Sequence, residues 1–378
     1  MVRSILAEWF KTPPAGFRIE PVYATVDQGY RYARRFTLNF LGCPEDALAD
    51  EPIDYAPGDV FLGLDLQTHV VPAQREFLQS LRRHGVRALF VVYDLLCVEM
   101  PQNFPAAVSE GFLRWLEVVA ESDGAVCISR STAGELEAWM AEHGSVRHQP
   151  FRISWFHLGA DLERSPSHAD ATSELRPPLE NISSRKCFLM VGTLEPRKGH
   201  AQVLKAFQNL WEKGQDLNLV FVGKEGWKVE DLVQAIRNHP EKDSRLFWLD
   251  DASDDALADA YHNSTCLIAA SHGEGFGLPL IEAAQHGVPV IARDIPVFRE
   301  VAGEYAYYFE GLDPDDIADT VLDWLSLHEQ GIAPRSDDMP RCTWRESAQG
   351  LLRIVSPKTE TVGSPRPDPV SAGARTAD

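Results

Sequence analysis

Positive charge is scarce in this chain. Its 378 residues carry 36 Lys and Arg against 56 Asp and Glu, a net charge of −20. A nucleic-acid partner needs a basic face for its phosphates, so that class of function is excluded. Long apolar stretches are absent too: no run approaches eighteen residues, and no charged region followed by an apolar core opens the chain. Neither a membrane span nor a secretory signal is read, and a cytoplasmic location is expected. Cysteine is sparse and scattered. Cys43, Cys97, Cys127, Cys187, Cys266 and Cys342 show neither C-x-x-C nor metal-ligand spacing, and four of them sit in apolar, strand-like runs. Buried, reduced thiols follow, rather than disulfides or a metal centre. The histidines show no metal spacing either.

What is present is the composition of a globular protein, 44% hydrophobic and 24% charged, and long enough for two domains with separate cores. The pattern predicts a helix over 2–10, strands over 17–24 and 60–64, a helix over 70–84, and a strand over 87–93 ending at Asp94. A helix over 105–122, a strand over 124–128, a helix over 129–143 and a strand over 151–156 follow. Ser131 or Thr132 is the expected cap of the 129–143 helix, with Glu135 completing a capping box. Residues 164–185, rich in Ser, Pro, Asp and Glu, read as a linker. Beyond it come six strands, at 187–191, 219–222, 246–249, 266–270, 288–291 and 306–309, alternating with helices up to residue 329. Strand–helix alternation implies parallel sheets covered on both faces. The expected layout is therefore α/β, with two doubly wound Rossmann-like domains, 1–163 and 186–332. A helix over 343–355 and a disordered tail over 356–378 complete it. A doubly wound domain opens on a strand, whereas this chain opens on a helix, so the first strand and loop of the first domain are read as missing. Gly29 to Phe36, GYRYARRF, is read as an exposed basic turn, with an acceptor or membrane contact as the alternative.

Chemistry concentrates in Ser271 to Pro289, SHGEGFGLPLIEAAQHGVP. An apolar strand precedes it and a helix follows. Glycines 273, 275 and 277 let the backbone turn tightly and approach a ligand, and the helix start offers unpaired amides and a positive dipole end, a setting for phosphate. Glu274 and Glu282 bracket the loop. A carboxylate cannot bind phosphate but accepts hydrogen bonds from sugar hydroxyls, so phosphate donors between two hydroxyl acceptors suggest a nucleotide sugar. A second loop, Gly192-Thr-Leu-Glu-Pro-Arg-Lys-Gly199, also follows a strand and precedes a helix. It brings two adjacent cations, Arg197 and Lys198, into an acidic protein.

The E-x7-E spacing enclosing GFGLP, together with GTLEPRKG, resembles the donor-site motifs of family-4 retaining glycosyltransferases of the GT-B fold. The wording of the second half, including IARDIPVFREVAG, looks most like bacterial mannosyltransferases that build O-antigen or other surface polysaccharides. The resemblance implies transfer of a hexose, mannose from GDP-mannose, with no essential metal or other cofactor. The acceptor would be a glycan or polyprenyl-linked glycan, and peripheral contact with the inner membrane gains no support from the acidic charge. Catalytic roles are implied for Glu274, Arg197, Lys198 and Asp94. Donor contacts are implied for Gly192, Arg197, Lys198, Lys224, Leu249, Glu274, Gly275, Phe276, Gly277, Leu278 and Glu282, with Glu282 on the ribose and Glu274 on the transferred sugar. On the acceptor side stand Asp65, Tyr93, Asp94 and Ser129; Tyr93 occupies the place of a histidine in many relatives, which weakens acid–base work there. Asp94 and Ser129 have loop- and helix-capping as alternatives. Two other functions stay open: a different enzyme on the same scaffold, such as an epimerase or phosphorylase, or a nucleotide-sugar-binding module inactive through its missing first strand.

Overall fold

A computed structural model describes residues 1–44, 48–144, 150–160 and 185–356. The expected linker, except Arg185, and the tail beyond Ser356 lie outside the described residues.

The chain opens with α1 (Val2–Lys11), whose Ile5, Leu6 and Trp9 recur at helical spacing and are buried. The strand expected over 17–24 shrinks to β1 (Val22–Tyr23), which pairs antiparallel with β2 (Arg31–Tyr32). Pro21 and the prolines and glycine at 13–16 leave too little uninterrupted backbone for more. The basic stretch continues into α2 (Arg34–Phe40), a two-turn helix with no buried residue. Then come β3 (Val60–Gly63), α3 (Val70–Ala73), α4 (Arg75–Arg83), β4 (Arg87–Val92), α5 (Leu96–Glu99), α6 (Ala106–Glu121), β5 (Gly124–Cys127), α7 (Arg130–His143) and β6 (Arg152–Trp155). The helix expected over 70–84 thus breaks in two at Gln74.

Strands β3-β4-β5-β6 form a parallel sheet in plain sequence order, without the reversal that a doubly wound sheet has. Chain connections in one direction put their helices on one face. Ala88, Phe90 and Val92 of β4 pack there with Leu81, Trp115, Leu116 and Leu136 from α4, α6 and α7. The alternate residues Leu89 and Val91 face the other way, against Ile5, Leu6 and Trp9 of α1 and the last helix, α14 (Trp344–Val355). Trp9 Nε1 donates to the Ala348 carbonyl at 3.0 Å, so α14 closes the face that the first sheet's own connections leave open.

The second sheet holds β7 (Lys186–Val191), β8 (Leu217–Val222), β9 (Leu246–Leu249), β10 (Cys266–Ala269), β11 (Val290–Arg293) and β12 (Tyr307–Phe309), all parallel, in the order β12-β11-β10-β7-β8-β9. This is doubly wound, with its switch point between β7 and β10. Its helices are α8 (His200–Glu212), α9 (Glu230–Arg237), α10 (Asp254–His262), α11 (Leu278–Gln285), α12 (Pro296–Ala302) and α13 (Pro314–Glu329). All six cysteines are free thiols, and the four in strand-like runs, Cys97, Cys127, Cys187 and Cys266, are buried. Among the described residues no helix is long and apolar enough to cross a membrane.

Candidate active site

Ligands of doubly wound sheets bind beyond the carboxyl ends of the strands at the switch point. Here that place lies between the loops after β7 and β10, the two motifs singled out above. After β7, Gly192 turns with φ of 139° and the chain runs into a single 3-10 turn, Pro196–Lys198, closed by Gly199 in the left-handed conformation. A side chain at Gly199 would meet the Ala270 carbonyl at 2.6 Å, so glycine is what lets the two loops touch. After β10, Gly277, with φ of 103°, starts α11.

The two loops are joined by charge. Lys198 Nζ donates to Glu274 Oε1 at 2.5 Å, Ser271 Oγ donates to the same oxygen at 2.7 Å, and Arg197 Nη1 lies 3.0 Å from Glu274 Oε2. Arg197 also donates from Nε to Glu195 Oε2 at 2.9 Å and from Nη1 to the Gly273 carbonyl at 3.1 Å. All four ionic side chains are 7–13% exposed. Burial opposes charge on Glu274, but Lys198, Arg197 and the hydrogen bonds from Lys198 and Ser271 outweigh it and hold its carboxyl below the ordinary range. Among these contacts, the Nη2 side of Arg197 and two ammonium protons of Lys198 remain for an anion. A cavity of about 20 Å³, room for one water, is lined by Lys198, His200, Ser271 and Glu274.

Across the cleft stands the end of β4. A side chain at Gly275 would come within 1.9 Å of the Tyr93 carbonyl oxygen and 3.2 Å of Asp94 Cβ, so the glycine loop and the first sheet meet backbone to backbone. Asp94 Oδ1 accepts from the Leu96 amide at 3.1 Å, a turn-capping bond, while burial, partly opposed by Arg197, pushes its carboxyl up. Tyr93 donates from its hydroxyl to the Leu64 carbonyl at 2.5 Å. Asp65 is exposed and accepts from Gln67 Nε2 at 3.4 Å. Ser129 is fully buried and is itself the cap of α7, accepting from the Thr132 amide at 3.0 Å; its hydroxyl is committed to the helix, and the cap expected at Ser131 or Thr132 is displaced by two or three residues.

On the donor side, Lys224 follows β8 with its side chain 78% exposed, 3.8 Å from Asp251, and Leu249 ends the neighbouring β9, half-buried. Phe276 is buried against His157, with ring centroids 5.4 Å apart, and Leu278 opens α11. Glu282 lies in the second turn of α11, where its Oε2 accepts from the Tyr261 hydroxyl at 2.8 Å. Four participants escaped the sequence reading. Glu195 and Ser271 stand inside the two motifs, where their spacing to Arg197 and Glu274 was a usable signal. Tyr261 carries no local signal. Glu300, within FREVAG, accepts from the Arg130 and Ser131 amides at 2.7 and 2.8 Å and from His157 Nε2 at 2.7 Å, capping a helix of the opposite sheet.

The family model "Glycosyl transferases group 1" matches residues 172–334. A serotype-specific mannosyltransferase WbdA of Escherichia coli is 44% identical over 361 residues, covering 94% of this chain and 44% of the relative. An O-antigen chain mannosyltransferase B of E. coli is 30% identical over 168 residues, covering 44% of this chain and 40% of that one. The chain thus spans less than half the length of these relatives. In fold it resembles a solved α,α-trehalose 6-phosphate synthase of Burkholderia multivorans (TM-score 0.57, 13% identity, covering 80% of this chain and 71% of that one). A sucrose-phosphate synthase of Thermosynechococcus elongatus is similar (TM-score 0.53, 19% identity, covering 79% and 71%). By the matching family model and the 44% identity over 94% of its length, the chain belongs to the group 1 glycosyl transferases, and its fold is GT-B.

Proposed function

We propose that this chain transfers mannose from GDP-mannose, with retention of anomeric configuration, to a glycan or lipid-linked glycan in surface-polysaccharide synthesis. The observation that carries the reading is the buried Arg197–Lys198–Glu274 group at the switch point, facing Asp94 across the cleft. Its cations have donors left for a diphosphate, and the start of α11 supplies backbone amides beside them. The bond from the sugar's anomeric carbon to the diphosphate oxygen breaks, its electron pair leaving with GDP. Arg197 and Lys198 stabilise the charge that develops there. Glu274 orients the sugar hydroxyls and Glu282 the ribose. The acceptor hydroxyl forms the new bond to the anomeric carbon and its proton passes to the departing diphosphate, with Asp94 placed to bind the incoming hydroxyl. The mannosyl specificity is supported by the names of the relatives above.

Calorimetric titration of GDP-mannose, GDP and UDP-sugars into this chain and into a Glu282→Ala variant tests the donor assignment. GDP-mannose should bind in preference to UDP-sugars, and the variant should lose about 1–3 kcal/mol. Equal affinity for all nucleotide sugars, or none, would sink it.

A further inference from the structure

Glu282 is the expected ribose-binding carboxylate, and its surroundings do not explain why it should be ionised. It is half-buried, and Asp254 adds a like charge nearby; burial first, then Asp254, favour its neutral form, with Lys198 only a partial counterweight. A protonated carboxyl donates where a ribose hydroxyl pair needs an acceptor.

Tyr261 supplies the largest opposition, although the balance still holds this carboxyl above the ordinary range. It is the penultimate residue of α10, fully buried, and its hydroxyl sits under the first turns of α11, 2.8 Å from Glu282 Oε2 and 3.5 Å from the Pro279 carbonyl oxygen. A phenol has one proton, and the shorter, charge-assisted contact takes it. The ring is held as firmly as the hydroxyl. It stacks on His286 from the end of α11 at 5.1 Å between centroids and 6° between planes, and His286 Nδ1 in turn lies 3.3 Å from His262 Nδ1. Burial and the adjacent carboxylate keep the phenol protonated at any working pH, so it is a permanent donor. We propose that Tyr261 is a positioning residue for the nucleotide: its hydroxyl holds Oε2 of Glu282 as a hydrogen-bonded carboxylate and leaves Oε1 for the ribose hydroxyls. This rests on the assignment of Glu282 to the ribose.

The test is GDP affinity by calorimetry between pH 5.5 and 8.5 for the native chain, Tyr261→Phe and Glu282→Gln, with the melting temperature of each as a check on folding. Tyr261→Phe removes one oxygen from a ring whose packing is otherwise kept. It should weaken GDP by about 10–150-fold at neutral pH, as expected for a hydrogen bond to a charged group, and the deficit should widen toward acid pH as Glu282 takes up a proton. Glu282→Gln retains the neighbouring His286, His262, Asp254 and Lys198, so its difference from the native pH profile isolates the carboxylate's share. Should Glu282→Gln lose affinity while Tyr261→Phe keeps both the native affinity and the native pH profile, the positioning role is overturned. If Glu282→Gln binds GDP normally, or the native chain binds none, the ribose assignment fails, and this inference fails with it.

Discussion

The same kind of side chain meets opposite fates on the two sides of the cleft. Glu274, on the second sheet, is shut away from water yet ionised, because two cations and a hydroxyl converge on it. Asp94 and Glu135, on the first sheet, are also shielded. Arg197 offsets the burial of Asp94 only in part, burial and the neighbouring Glu99 and Asp94 act on Glu135, and both carboxyls are pushed up, Glu135 to about 7. On the proposed donor side the charges are thus paired in advance, whereas the carboxyls of Asp94 and Glu135 across the cleft are both pushed toward their protonated forms. For the proposed reaction, which expels a diphosphate and takes in a hydroxyl, that division is useful: fixed positive charge would wait where negative charge develops, and the pull of the facing carboxyls toward protonation weakens repulsion from across the cleft.

Removing a cation should break the contrast most severely. Lys198→Ala deprives the leaving diphosphate of a buried charge and Glu274 of its shortest bond. Turnover should fall by about two to three orders of magnitude, as when a preorganised oxyanion contact is deleted. Single-turnover measurement with saturating donor checks this. Retention of a tenth of native turnover would show that Lys198 is a salt-bridge partner only. Putting the two sides out of contact should cost less. Gly275→Ala places a methyl carbon where the Tyr93 carbonyl already stands, 1.9 Å away, so the cleft must open. A displacement of this size lowers kcat/KM by up to about 10²-fold. Gly134→Ala, in α7 with nothing within 4 Å of the added atom, is the control and should leave kcat/KM unchanged.

The sequence disclosed the two sides unequally for a physical reason. The second sheet's candidate ligand contacts ride on backbone turns and helix starts, and such turns leave a signature in glycine spacing; Arg197, Lys198 and Glu274 could be brought together from linear sequence alone. Its six strands and six helices were found within a few residues because each carries its own apolar period. The first sheet's contacts depend on which elements pack together. That Glu300 would cap α7 from the other sheet, or that Ser129 rather than Thr132 would be the cap, depends on tertiary placement that local pattern does not encode. The plain strand order of the first sheet, in place of the expected double winding, was hidden in the same way, because alternation of strand and helix is common to both.

The smallest effect concerns Glu135, which lies on α7 with its Oε2 buried and unpartnered among the described residues, 3.5 Å from Ser131 Oγ through the other oxygen. Burial comes first among the causes of its raised pKa, then the charges of Glu99 and Asp94. The folded chain therefore binds this proton more tightly than the unfolded chain, whose carboxyl titrates near 4.5. Below that pH the proton is bound in both states. As pH rises from there through about 7, the folded state is forced to ionise a shielded group and loses stability relative to a chain without it. Allowing for partial exposure, the loss is about 2 kcal/mol. Glu135→Gln should accordingly melt about 2–4 °C above the native chain at pH 8 and together with it near pH 4.5. A difference in melting temperature that does not vary with pH would mean that Glu135 is ionised throughout, like Glu274, and that the contrast between the two sides does not reach beyond Asp94.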